Sequence, residues 1–338
     1  MFNSKTILIT GGTGSFGSTC VQYLLEKHKP KKVIVFSRDE LKQYELSNFL
    51  IEQGYDEDRL RFFLGDVRDR ARLNLAFKDV DFVIHAAALK QIPAAEYNPQ
   101  ECIKTNINGA QNVIFAALEQ GVKKVIALST DKACGPVNLY GATKLASDRL
   151  FVSANNLGGR KESTRFSIIR YGNVFNSRGS VIPLFKNLIS KNKKSLPITH
   201  EKMTRFFISL EDGVKFVLTS FKRMHGGEVF VPKLPSVFIK DIVKAFDPKL
   251  KYHIIGIRPG EKLHEVLCIK EESHLTIEFK NHYVIEPLLW EKNVNVKNYM
   301  IDKNGLKGKR VKKDFEYNSF INKNFLSVKN ISKILKKF

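Results

Sequence analysis

Residues 6–17 read TILITGGTGSFG, and the fold follows from how this stretch is read. TILIT is a continuous apolar run, the pattern of a strand buried on both faces of a sheet rather than one that faces water. Glycines follow at 11, 14 and 17, and a helical stretch over 18–27 begins where they stop. Each glycine has a task beside a dinucleotide. Gly11 permits the tight turn, Gly14 lets the backbone approach a pyrophosphate, and Gly17 lets helix pack closely on strand, while the helix N-terminus supplies positive potential. Thr13, Ser15 and Phe16 complete the loop. A glycine pattern alone is a weak signal, compatible with a plain tight turn; the strand before it and the helix after it make dinucleotide binding the expectation.

Outward from this stretch the same rhythm repeats. Apolar runs at 31–37, 59–66, 81–87, 123–130 and 166–173 alternate with helical segments, which predicts an α/β protein built on a doubly wound parallel sheet. After Asn173 the alternation breaks. Residues 181–190 and 210–221 read as helices and 196–199 and 227–233 as strands, so a smaller, discontinuous substrate-binding lobe is expected. The expected division is 1–173 as the dinucleotide domain, with 206–235 returning to it, and 174–205 plus 236–338 as substrate lobe and basic tail.

Composition bounds the function class. The chain has 338 residues, 43% hydrophobic and 27% charged, which is ordinary globular usage. No apolar run is long enough to span a bilayer and the start has no signal-peptide layout, so a cytoplasmic location without membrane attachment is expected. Cys20, Cys102, Cys134 and Cys268 have no paired spacing, which predicts reduced thiols, and His85, His200, His225 and His264 have no metal-ligand spacing. The net charge of +22 suits an anionic partner; over 291–338 thirteen basic side chains face four acidic ones, a pattern that fits a solvated surface. No aromatic-interleaved basic motif for nucleic acid is present.

The second strand ends in Ser37 and Arg38, followed by Asp39, Glu40 and, further on, Lys42. An arginine here can pair with a 2′-phosphate, which favours NADP, whereas Asp39 or Glu40 facing the ribose would suit NAD, or could simply begin the next helix. Asp66 and Val67 end the third strand, where an aspartate can accept from the adenine amine or cap a helix; Ala86 and Ala87 give a small-residue passage after the fourth.

Residues 129–144 read STDKACGPVNLYGATK. Tyr140 and Lys144 lie four apart, on one face of a helix, after a strand that ends in Thr130. An ammonium beside a phenol lowers its pKa, so the pair can take a proton from a hydroxyl while hydride leaves its carbon. Asp131 and Lys132 are surplus to that chemistry; as loop charges they could equally be a surface ion pair.

Taken together, TGGTGSFG, VFSRDELKQ, FFLGDVRD, HAAALKQIPAAEYNPQECIKTN, LSTDKACGPVNLYGATKLASD, RYGNVFNSRGSVIPLF, MTRFFISLEDGV, RMHGGEVFVPK, IIGIRPGEKLHE and DFEYNS carry a resemblance over nearly the whole chain. The chain resembles the extended short-chain dehydrogenase/reductases, with their Rossmann sheet, and within them the soluble NADP-dependent UDP-N-acetylglucosamine 4,6-dehydratases that invert C5 and begin pseudaminic acid synthesis for flagellin glycosylation. The resemblance implies that Tyr140, with Thr130 and Lys144, serves oxidation at sugar C4, that Lys132 removes the C5 proton, and that Asp131 protonates the departing 6-hydroxyl. As the base, Lys132 needs a lowered pKa, with Lys144 a candidate neighbour. Retaining dehydratases typically carry Asp-Glu where this chain has Asp131-Lys132. The resemblance also implies a substrate site of Lys90, Asn173, Val181, Ile182, Pro183, Leu184, Phe185, Arg205, Arg258, Glu261 and Tyr317, with Lys90 also near the cofactor and Arg178 a further candidate. It implies a homo-oligomer, a hexamer in the inverting branch. Gly135 departs from the bulkier residue common in relatives. Two other readings stand beside this one: a nucleotide-sugar C4 epimerase, which gives Asp131-Lys132 no acid-base work, and an NADP- or RNA-binding module on the same fold.

Overall fold

The structure is a computed structural model that describes residues 1–157, 164–288 and 299–336. Strands β1 (Thr6–Thr10), β2 (Lys32–Ser37), β3 (Leu60–Leu64), β4 (Phe82–His85), β5 (Lys124–Thr130) and β6 (Arg165–Tyr171) fall where the apolar runs place them. Between them lie α1 (Ser15–Lys27), α2 (Glu40–Glu52), α3 (Arg70–Ala76), α4 (Ile92–Tyr97), α5 (Pro99–Ile103), α6 (Gly109–Glu119) and α7 (Leu139–Ser153). Helix α1 buries Gly17, Cys20, Val21 and Leu24, one stripe at the helical period. The remaining elements are β7 (Asn173–Val174), α8 (Val181–Ser190), β8 (Ser195–Ile198), β9 (Thr204–Ile208), α9 (Leu210–Arg223), β10 (Val229–Pro232), β11 (Ser236–Phe238), α10 (Ile239–Phe246), β12 (Lys251–Ile254), β13 (Val266–Cys268), β14 (Thr276–Glu278), β15 (His282–Ile285), β16 (Lys309–Arg310), β17 (Tyr317–Asn318) and α11 (Val328–Leu335).

The main sheet has the order β16-β14-β15-β10-β6-β5-β4-β1-β2-β3. From β3 to β10 every neighbouring pair is parallel, as expected for a doubly wound sheet. Strand β1 is flanked by β2 on one side and β4 on the other, so the strand order reverses there and a crevice opens beyond the strand C-termini. Helix α9 returns to this layer and packs on α1, capped by Ser209, whose hydroxyl accepts from Asp212 N, with Lys222 and Arg223 in its last turn.

The expected domain division changes in two places. Strands β14, β15 and β16 lie in the stretch assigned to the substrate lobe, yet they extend the main sheet, with β15 antiparallel to β10. An apolar β10 edge left open would invite pairing, and the HYVI run of β15 covers it; strands this short, paired to β10 only after several intervening elements, leave no periodic signal. Residues 206–208 belong to β9, which pairs with β7 and β11 in a separate three-stranded sheet. That sheet, with α8, α10 and α11, encloses a second core including Phe175, Ile182, Phe185, Phe207 and Ile242. Helix α11 buries Ile331 and Leu335 against α10, so the basic tail contributes to a core as well as to a charged surface. Among the described residues, no helix is long and apolar enough to cross a membrane.

Contact between α1 and β1 sets the geometry of the crevice. A Cβ on Gly17 would stand 2.5 Å from the Gly11 carbonyl oxygen and 2.6 Å from Gly12 Cα, distances no side chain tolerates. Gly11 has φ +66°, and a Cβ there would meet Ala87 N at 2.9 Å. We therefore expect Gly17→Ala to destabilise the protein by about 1–3 kcal/mol through forced separation of helix and strand, read as a lower thermal midpoint; a midpoint equal to the wild type would show that the layer gives more easily than these distances imply.

Candidate active site

Beyond the ends of β1, β2, β4, β5 and β6 lies a cleft of about 560 Å³. Its first half is the glycine loop: Gly11, Thr13, Gly14, Ser15, Phe16 and Gly17 all line it. Gly14 precedes α1 with no side-chain cap, so the first-turn N–H groups remain to be met by a ligand. Ser37, Arg38, Asp39 and Lys42 close one end; Val67, Ala86, Ala87 and Lys90 lie along the wall. Asp39 is spent on the helix, accepting from Lys42 N at 3.0 Å and pairing with the Lys42 ammonium. Glu40 and Asp66 do not line the cleft. Asp66 instead accepts from Arg68 N at 2.9 Å and from its guanidinium at 2.7 Å, with Arg38 at 3.5 Å; the helix-cap alternative therefore describes Asp39, whereas Asp66 sits in the turn before α3, whose cap is Asp69. The Arg38 side chain is half exposed at this end. These features fit a dinucleotide, with the bare helix N-terminus at its phosphates.

The second half carries the proton-handling groups. Thr130 ends β5 and caps the turn that follows, its hydroxyl donating to Asp131 Oδ1 at 3.0 Å. Asp131 is fully buried behind the cleft surface, its Oδ2 without a hydrogen-bond partner. Lys132 reaches into the cleft and places Nζ 2.8 Å from Asp131 Oδ1 and 3.5 Å from Asn173 Oδ1. Tyr140 and Lys144 present one face of α7, which is started by Asn138 accepting from Gly141 N. Tyr140 is raised to about 12, because burial outweighs the opposing pull of the Lys132 charge and the Thr130 hydroxyl. The largest downward pull thus comes from Lys132, ahead of the Lys144 expected for it. Burial lowers Lys144, opposed by Asp148 one turn along.

Lys132 itself departs from expectation. Burial disfavours its charge, but Asp131 and Glu265 outweigh that and hold its proton affinity above the usual lysine range. Lys132 therefore rests as an ammonium, 2.8 Å from Asp131 Oδ1.

The residues expected at the substrate divide. Lys90 and Asn173 line the cleft, Lys90 donating to the Arg178 carbonyl at 3.2 Å. Val181, Ile182, Pro183, Leu184 and Phe185 form the first turns of α8 and do not line it; Ile182 and Phe185 are wholly buried in the second core. Arg205 is buried, its guanidinium donating to the carbonyls of Thr204, Lys262 and Leu263 at 2.7, 2.9 and 3.2 Å. Arg258 and Glu261 lie 3.9 Å apart on the loop before β13, outside the cleft lining. That loop is pinned to the 131–138 turn, with Asn138 donating to Gly260 O at 2.8 Å and Lys262 to Cys134 O. Tyr317 is a correction: its hydroxyl donates to Leu234 O at 2.9 Å and accepts from Leu234 N at 2.7 Å, and its ring packs on Phe206 and Tyr283. A buried phenol that closes a backbone pair has no hydroxyl left for a ligand.

Three features were not legible beforehand. Arg178 donates to Thr13 O at 2.8 Å and its N–H to Ser15 Oγ at 3.2 Å, strapping the 175–180 loop to the glycine loop. On the buried face of α7, Asp148 accepts from Ser129 at 2.6 Å, and Arg170 spans from Asp148 at 4.0 Å to Glu272 at 2.9 Å. Glu265 approaches Lys132 at 3.5 Å. The stretch IIGIRPGEKLHE ends in this residue, but nothing in its spacing separates Glu265 from Glu261.

Residues 7–287 match the family described as polysaccharide biosynthesis protein. The chain belongs to that family. One relative within reach, a UDP-N-acetylglucosamine 4,6-dehydratase (inverting) of Campylobacter jejuni, is 59% identical over 336 residues, covering 99% of this chain and 98% of the relative. A UDP-glucose 4-epimerase of Rickettsia bellii is 45% identical over 84% of each chain. Among solved structures, the X-ray structure of Pen from Bacillus thuringiensis superposes with a TM-score of 0.86 at 36% identity, covering 100% of this chain and 98% of that one. The resemblance to inverting dehydratases and the doubly wound fold are both borne out.

The placement of Tyr317 is testable. Removing its hydroxyl leaves Leu234 N unpaired, while Leu234 O keeps the Asn322 amide at 2.8 Å, so Tyr317→Phe is expected to cost about 1–3 kcal/mol of stability while KM for a nucleotide sugar stays at the wild-type value. A raised KM at unchanged stability would return Tyr317 to the substrate site.

Proposed function

We propose that this chain is an NADP-dependent, C5-inverting UDP-N-acetylglucosamine 4,6-dehydratase, a lyase. The observation that carries this reading is the Asp131–Lys132 pair: a buried carboxylate and an ammonium 2.8 Å apart, beside Tyr140 in one cleft. Hydroxyl oxidation alone has no use for it. The family membership and the 59% identical dehydratase support the substrate class.

Tyr140, after giving up its own proton to become a phenolate stabilised by the Lys132 charge and the Thr130 hydroxyl, takes the proton of the sugar C4 hydroxyl, with Lys144 one turn along. The nicotinamide, when bound, accepts hydride from C4 and returns it to C6. With a ketone at C4 the C5 proton becomes acidic. The resting ion pair reaches its working state by one proton transfer, from Lys132 to Asp131 across their hydrogen bond, which gives an amine and a carboxylic acid. Exclusion of water favours that neutral pair, because two separated charges lose their hydration. Lys132 then takes the C5 proton while Asp131 gives its proton to the departing 6-hydroxyl, so water leaves and the pair is again ammonium and carboxylate. Reprotonation of C5 from the opposite face produces UDP-2-acetamido-2,6-dideoxy-β-L-arabino-hexos-4-ulose.

Lys90 and Asn173 hold the sugar, and Arg258, on the loop pinned to the 131–138 turn, meets the diphosphate or uridine with Glu261 nearby. Arg38 supports NADP over NAD, since Asp39 is already spent on the helix N-terminus. The full-length resemblance supports the rest: a cytoplasmic homo-oligomer, a hexamer, acting at the first step of pseudaminic acid synthesis. A C4 epimerase is the second reading, favoured by the 45% identical relative of that name.

Proton NMR of the protein with UDP-N-acetylglucosamine in deuterated water separates these readings. The expected product has a C6 methyl group, deuterium at C5 and L-arabino geometry. An intact C6 methylene on a galacto-configured product would establish the epimerase, and retention of nucleic acid without any sugar turnover would favour a binding module. Tyr140→Phe is expected to slow turnover by about 10²–10⁴-fold. Arg38→Ala is expected to weaken NADP by roughly ten- to a hundredfold with little change for NAD, measured by titrating each cofactor.

A further inference from the structure

Glu265 has no part in the chemistry above, yet its placement is unusual. It stands at the start of β13 and is 2% exposed. Its Oε1 lies 3.5 Å from Lys132 Nζ and 3.7 Å from Arg205 Nε, almost midway between the two cations. Its Oε2 is buried with no hydrogen-bond partner. The backbone is fixed from the far side of the lobe: Glu265 N donates to Ser319 Oγ at 2.9 Å, and Ser319 N returns a bond to Glu265 O at 2.8 Å. Ser319 Oγ is in turn 2.7 Å from Thr204 Oγ1. A carboxylate recruited only for packing would have both oxygens paired, because an unpaired buried oxygen costs stability.

We propose that Glu265 is a positioning residue for proton transfer at Lys132: shared between Lys132 and Arg205, its carboxylate holds the lysine in place and sets how readily it releases its proton. When Lys132 carries a proton, Glu265 and Asp131 together balance it. When that proton moves to Asp131, Glu265 still has Arg205 as its counter-charge, so no buried charge is stranded in either state. Arg205, expected at the substrate, thereby gains a task of its own. The groups that act on Lys132 are Asp131 and Glu265, which favour its charge, and Arg205, which opposes it. Tyr140 and Lys90 face it across the cleft, and His264 sits beside Arg205.

The sign follows from these neighbours. Glu265→Gln removes one charge that favours the ammonium and leaves Arg205 to oppose it, so Lys132 deprotonates at lower pH. Trace labelling with acetic anhydride reads this directly, since only the amine reacts. The Lys132 peptide is quantified by mass spectrometry against exposed lysines across a pH series, on the full chain without sugar. The expected result is a labelling curve displaced to lower pH by at least about one unit, a tenfold gain at fixed pH. Glu265→Asp keeps the charge but withdraws it by one methylene, and should fall between wild type and Glu265→Gln. Circular dichroism establishes which variants fold, and a curve identical to wild type in any folded variant would overturn the proposal. The consequence for turnover rests on the dehydratase reading: the acid limb of C5 deuterium uptake should move down with the labelling curve. If the wild type incorporates no deuterium, that reading fails while the labelling still decides the role of Glu265.

Discussion

Helix α1 reaches β1 because nothing larger than hydrogen projects from Gly17 toward the Gly11 carbonyl. That approach places the uncapped N-terminus of α1 at the point where strand order reverses between β2 and β4. An anion bound there meets oriented N–H groups without any cationic side chain. The remaining parts of the site are placed by reference to this corner, because the parallel sheet carries the ends of β4, β5 and β6 past it at fixed spacing. Thr130 and the turn bearing Asp131 and Lys132 stand where β5 ends, and the lobe that closes the cleft is joined through β7.

A second constraint is charge balance in a buried place. Lys132 is matched by Asp131 and Glu265, and Glu265 by Arg205. Lys144 faces Asp148, which faces Arg170, which is held by Glu272. In both chains of contacts the cation near the cleft is backed by a carboxylate, and that carboxylate by an arginine further in. Single buried charges would be costly, whereas alternating ones share the desolvation loss. The late segments of the chain supply these supports. Ser319 fixes Glu265, Tyr317 closes the Leu234 backbone, and the loop ahead of β13 is tied to the 131–138 turn by Asn138 and Lys262. This accounts for the 314–319 stretch resembling dehydratases without lining the cleft.

Resemblance over nearly the whole chain and contact with the substrate are therefore different properties. Arg205, Ile182, Phe185 and Tyr317 sit in matching motifs, yet here their side chains face carbonyls or core. Lys90 and Asn173 face the cleft as expected. The distinction is physical: a buried side chain held by core packing or by bonds to backbone carbonyls can orient a loop, but it cannot also grip a ligand without losing those contacts.

Local signals were enough for the sheet, the glycine loop and the pair Tyr140 and Lys144, because apolar runs, glycine spacing and a four-residue helical offset act over short stretches of chain. They also marked Asp131 and Lys132 as surplus charges. What they could not supply was the protonation state of Lys132, which depends on Glu265, 133 positions away and indistinguishable in sequence from Glu261. Nor could they reveal that β14, β15 and β16 complete the main sheet, since strands of two to four residues carry too little pattern to name a partner. The sequence by itself determined which chemistry the site can hold; only the tertiary structure decided which charges meet, because electrostatic interaction depends on distance through space and on burial, and neither is written in the order of residues.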